Sequence, residues 1–130
     1  MGEYKFVNIT KSNNAKKKYT ANFRNLNTGN NKKISFGAVG YRDYTLVNNK
    51  SSNYYLDSKE ERDKVKRNYQ TRHNKDLTTE NNKKGLGAGS LSYYVLWTAP
   101  TIAGGIKNYI KKYWSSWIRI LKNIIILVLI

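Results

Sequence analysis

At 130 residues, with 24 Lys and Arg against 8 Asp and Glu, the chain carries a formal charge of +16 and has the length of one domain. No cysteine is present, which excludes disulfides and thiolate-ligated metals. A mean hydropathy of -0.72 implies a thin core, and the 11 tyrosines can complete it because each joins a large apolar ring to a polar tip.

A charge this large on a small domain implies an anionic partner: nucleic acid, an anionic membrane surface or an acidic protein. The absence of cysteine suits a reducing interior. Met1 to Lys5 has no long apolar run behind it, which predicts no secretory signal.

In chain order, Tyr4 to Thr10 alternates Tyr4, Phe6 and Asn8 with Lys5, Val7 and Ile9, which predicts a strand. A turn at Ser12-Asn13-Asn14 and the run Lys16, Lys17, Lys18 follow. Tyr19 to Leu26 reads as a second strand with Tyr19, Ala21 and Phe23 inward. Asn27 to Asn30 is a turn signal, and Lys33 to Phe36 a third strand. The stretch Ile34 to Thr45 then joins this strand-like front to a helix-like back. Gly37 and Gly40 supply a bend, and Tyr41 and Tyr44 bracket Arg42 and Asp43.

Val47 to Asn53 is polar and reads as a loop. Ser58 with Glu61 has capping-box spacing, and Asp57, Glu60, Glu61 and Asp63 suit a helix N-terminus, so a helix is expected from there to His73 or Asn74. Its apolar edge is narrow, Val65 and Tyr69, with Arg62, Lys66 and His73 beside it. Asn74 to Gly89 reads as a mobile connection. Ser90 is the expected cap of a short helix through Trp97, with Leu91, Tyr94, Val95 and Trp97 inward. After Pro100, Thr101 is the expected cap of a last helix with the stripe Ile102, Ile106, Ile110, Tyr113, Trp117 and Leu121. The expected fold is α+β, an N-terminal three-stranded antiparallel meander followed by about three helices. Residues 1–114 form one small basic domain and 115–130 an apolar C-terminal helical extension.

Basic residues interleaved with tyrosines suit nucleic acid, since Lys and Arg neutralise phosphates and aromatic rings stack on unpaired bases. The expected contacts are Lys16, Lys17, Lys18, Arg42, Arg62, Lys66, Arg72, Lys83 and Lys84, with Tyr41 and Tyr44 as stacking groups and His73 as a packing or phosphate-contact residue. Gly85-x-Gly87-x-Gly89 lacks the Gly-Lys-Ser/Thr ending of a nucleotide loop and reads as a hinge. A single histidine without cysteines predicts no metal site, and no nucleophile spacing supports catalysis. No cofactor is expected. Ile124 to Ile130 is wholly apolar, but Arg119, Lys122 and Asn123 leave the region short of the ~20 residues of a span. Trp114, Trp117, Arg119, Leu121 and Lys122 are therefore expected to meet a membrane interface or a partner protein.

The order Ser35-Phe36-Gly37-Ala38-x-Gly40-Tyr41-x-Asp43-Tyr44-Thr45, Glu61-Arg62, Tyr69-x-x-Arg72-His73 and Leu91-Ser92-x-Tyr94-x-Leu96-Trp97-x-x-Pro100-Thr101 resembles a family of small basic proteins of unknown function. That family is encoded by large DNA viruses of algae and protists, the phycodnavirus and mimivirus relatives. The resemblance runs from about Tyr4 to Trp114. It suggests a tryptophan soon after the Arg-His pair, where Leu77 and a longer polar, Gly-rich insert stand here, and an end near Tyr113. It carries no activity, and implies a viral source and a place in the virion or the infected cell interior. The resulting expectation is a non-enzymatic protein that binds DNA or RNA through phosphates, in genome packaging. The alternative is a minor capsid or membrane-apposed virion protein that meets acidic capsid protein or lipid and is anchored by its C-terminal helix.

Overall fold

The computed structural model describes residues 3–115. Three antiparallel strands, β1 (Tyr4–Lys11), β2 (Lys17–Asn25) and β3 (Asn31–Ala38), pair in the order β1-β2-β3. Alternation along β2 and β3 sends Tyr19, Ala21, Phe23, Ile34 and Phe36 to the core, with Tyr19 opposite Phe36 and Ala21 opposite Ile34. The helical back follows as α1 (Tyr44–Val47), α2 (Lys59–His73), α3 (Glu80–Lys83), α4 (Ala88–Leu91) and α5 (Ile102–Tyr113). This is the expected α+β plan, with short helical turns inserted between the longer elements.

β1 departs from simple alternation. Phe6 faces Phe23 but Asn8 faces Asn22, so Val7 is an extra residue on one strand. A bulge of this kind reverses which side the following residues face. Ile9, expected opposite Phe6, therefore packs with Tyr4 and Phe6 against the core, while Asn8 and Thr10 accept from the Asn22 side-chain amide.

α2 spans the residues its spacing predicts, and the Ser58 hydroxyl accepts from Glu61 N–H at 3.3 Å. None of its residues is fully buried, and Val65 and Tyr69 are the apolar edge that touches the core. The next helix begins earlier than expected, because Gly87 rather than Ser90 stands at the cap position. Ser90 is buried and donates to Gly87 O at 2.9 Å. α4 then widens into a π turn over Ser92–Leu96. The wider turn adds Leu96 to the expected Leu91, Val95 and Trp97 in the core, and leaves Tyr94 half-buried.

Thr101 caps α5, its hydroxyl accepting from Gly104 N–H at 3.1 Å. The predicted stripe Ile102, Ile106, Ile110 and Tyr113 is only half-buried, and the fully buried line is Gly105 and Tyr109. A Cβ at Gly105 would stand 1.9 Å from the Val95 carbonyl oxygen, so α5 lies directly against the π turn. Tyr109 sets its ring 5.5 Å from Phe6 and donates its hydroxyl to Gly85 O at 2.6 Å. Burial pushes this phenol far above its ordinary range.

α5 ends at Tyr113. Trp114 is half-buried and packs on Phe6 and Phe23, at ring separations of 6.4 and 5.9 Å. Trp117, Arg119, Leu121 and Lys122 lie outside the described residues, as does the C-terminal extension beyond Ser115. Among the described residues no helix is long and apolar enough to cross a membrane.

Candidate functional site

The hub of the sequence is held by one buried carboxylate. Asp43 caps α1, its Oδ1 accepting from Leu46 N–H at 3.0 Å and from the Thr45 hydroxyl. Its Oδ2 receives Lys18 Nζ at 2.7 Å, and the same ammonium donates to Tyr41 O, also at 2.7 Å. Asp43 is 2% exposed and the Lys18 side chain 15%, so the pair is shielded from solvent. Gly40, at φ 90°, turns the chain out of β3 just before it. Two residues between these anchors project: Tyr41 is 71% exposed, and Arg42 is exposed with no hydrogen bond or ion pair to another described residue.

This loop forms one wall of an open groove of about 990 Å³. Residues of α2 also line it, where helical spacing brings Asn68, Tyr69, Arg72 and His73 to one side, and Leu96 and Trp97 at the end of the π turn complete the lining. Tyr69 lies 4.1 Å from Trp97 with the rings 5° from parallel, and 4.3 Å from the His73 imidazole. Two rings cannot both stack that closely on one face, so Trp97 and His73 take the two faces of Tyr69. Burial, with a smaller contribution from Asp76, pushes the Tyr69 phenol up to about 12.

His73 Nδ1 donates to Asp76 Oδ2 at 2.8 Å, which fixes the ring and leaves Nε2 as its other polar atom. No serine or threonine hydroxyl bonds this imidazole among the described residues. The groove wall carries Lys18, Arg42 and Arg72 against the single carboxylate Asp43, and that carboxylate is already paired. The arrangement can take an anionic group between Arg42 and Arg72, with an exposed tyrosine beside it.

Five of the expected contact residues therefore meet at one place: Lys18, Tyr41, Arg42, Arg72 and His73. Lys16 and Lys17 stand at the same end of the sheet, since Lys16 O accepts from Val39 N–H and Lys17 faces Ala38. The rest are placed differently. Tyr44, expected to stack on a base, is 7% exposed, with its hydroxyl donating to Asp63 at 2.7 Å and Lys66 Nζ 4.8 Å from the ring centre. It packs α1 against α2, and that also explains Lys66. Arg62 is a bracket: its guanidinium donates to Leu56 O and Asp57 O and lies over the Tyr55 ring.

Lys83 and Lys84 lie on α3 and at its end, away from the groove, and both face Glu80, at 4.0 and 2.9 Å. Nor is the glycine run beside them a hinge. A Cβ at Gly85, whose φ is 80°, would meet the Tyr113 ring at 2.6 Å. The Asn82 side chain fills the space at Gly87 and Gly89 and accepts from Ser90 N–H at 2.9 Å. Among the described residues no cluster of His, Asp and Glu has the makings of a metal site.

The Tyr69–Trp97 stack and the clamping role of Asp43 were not assigned to the site from sequence. Residues 69 and 97 lie far apart in the chain, and only the π turn brings Trp97 under Tyr69.

Residues 7–57 match the model of a family of unknown function (DUF5754). The match takes in β1 to β3, the Gly40–Asp43 loop and α1, and stops before α2. No curated protein and no solved structure matches the chain.

Proposed function

We propose that this chain is a non-enzymatic nucleic-acid-binding protein that takes DNA or RNA backbone phosphates in the groove between the Gly40–Asp43 loop and α2. The carrying observation is Arg42: an exposed guanidinium without a partner among the described residues, on a loop clamped by the Lys18–Asp43 pair, lining the same groove as Arg72. The clamp holds the loop backbone, so binding at this position has to order only the Arg42 side chain. Lys16 and Lys17 extend the positive surface along the end of the sheet, and the +16 charge of the whole chain adds long-range attraction. The resemblance to proteins of large DNA viruses supports a viral source, with genome packaging in the virion or infected cell as the setting. The alternative, a virion protein anchored by its C-terminal helix, rests on residues beyond Ser115.

Affinity for mixed-sequence DNA and RNA, measured by anisotropy across a salt titration, tests the reading. Binding that is strong at low salt and falls linearly on a log-log plot is the expected result. Lack of binding to either polymer at low salt overturns it.

A further inference from the structure

We infer that the groove prefers unpaired nucleic acid to duplex, with Tyr41 as the ring on which a base stacks. This rests on the nucleic-acid reading above and narrows its substrate class.

Tyr41 is the most exposed large apolar side chain among the described residues. The backbone of Tyr41 is anchored. Its carbonyl receives Lys18 Nζ at 2.7 Å, and Lys18 is locked in turn on Asp43, which is fixed by its own capping bonds. On the other side Gly40 has φ 90° and open space where a side chain would stand. The ring is therefore presented on a fixed backbone at the mouth of the groove, next to Arg42.

The other large rings of the groove, Tyr69 and Trp97, are occupied. Tyr69 has Trp97 on one face and His73 on the other, and Trp97 is 6% exposed. Among the described groove residues Tyr41 is the most open ring, next in sequence to Arg42, whereas the half-exposed His73 imidazole is held by Tyr69 and Asp76. A duplex turns its phosphates outward and keeps its bases stacked on each other, so it can use Arg42 and Arg72 but not Tyr41. A single strand can use all three, since an unpaired base has a free face.

The test is anisotropy with a labelled mixed-sequence DNA single strand of about a dozen nucleotides and with the duplex made from it, at matched salt. The single strand should bind roughly tenfold tighter, the value of one base stack. Tyr41→Ala should remove that preference by weakening the single strand alone, and Tyr41→Phe should keep it. Because Tyr41 packs against nothing that holds the fold, an unchanged thermal transition is expected for both variants. Duplex binding equal to or tighter than single-strand binding in the unaltered protein overturns the inference while leaving the phosphate reading intact. So does a Tyr41→Ala loss shared equally by both probes. Absence of binding to both at low salt instead defeats the underlying reading.

Discussion

Two regions of this chain place lysines or arginines next to closely spaced glycines and a helix start, and they end in opposite states. In the Gly37–Asp43 loop the acid is buried and spends its charge on Lys18, so Arg42 is left to solvent. In the Lys83–Gly89 corner the acid is Glu80, exposed on α3, and it faces both lysines, while Asn82 fills the space beside the glycines. Here, among the described residues, a basic side chain stays without an ion pair where the local acid is spent elsewhere. What separates the two regions is the burial of one carboxylate.

The largest expected effect breaks the first region directly. Asp43→Ala removes the α1 cap and leaves Lys18 without its buried partner, which should cost about 3 kcal/mol in chemical denaturation. Glu80→Ala, the matching change in the second region, should leave the thermal transition where it is, because an exposed pair adds little. Equal effects would dissolve the distinction.

Gly85→Ala comes next. A side chain there meets both a left-handed backbone and the Tyr113 ring, so a loss of about 2 kcal/mol is expected, against about 1 kcal/mol for Gly40→Ala, where the backbone conformation is the only obstacle. Thermal melts of the two variants side by side give the comparison.

Alkaline pH probes the packing of both regions, through Tyr69 in the groove and Tyr113 against Gly85. Burial raises Tyr113 as well as Tyr69 to about 12, from an ordinary value of 10.0. For groups raised in this way the contribution to stability is whole below pH 10 and is lost as pH climbs through 12. Melting temperature should therefore hold up to pH 10 and fall beyond it, and tyrosinate absorbance should show a fraction of the phenols ionising only as the fold is lost.

The smallest change in stability should come from Arg42→Ala, which touches no described partner. It should leave the melt unaltered and reduce the salt slope of single-strand binding by about 0.7, one phosphate contact.

Much of the fold was legible in the sequence for local reasons. Ser58, Glu61 and Thr101 act through neighbours three residues away, and the alternation in β2 needs only its own period. The errors came where a distant partner decides. The bulge at Val7 depends on how β1 meets β2, and Tyr109 lies outside the predicted stripe of α5 yet is buried where Gly85 O accepts from its hydroxyl. The site divides in the same way. Arg42 is an exposed cation in the structure as its sequence context predicts, while Tyr44 reads as equivalent to Tyr41 in the sequence and is instead packed against Asp63 and Lys66.

The most direct test of the account compares two double substitutions in one salt-titrated binding assay with single-stranded DNA. Arg42→Ala with Arg72→Ala should weaken binding and lower the salt slope by about 1.4, whereas Lys83→Ala with Lys84→Ala should leave the slope nearly unchanged. A greater loss from the Lys83 and Lys84 pair, or an equal loss from both, would contradict the assignment of the groove as the binding surface.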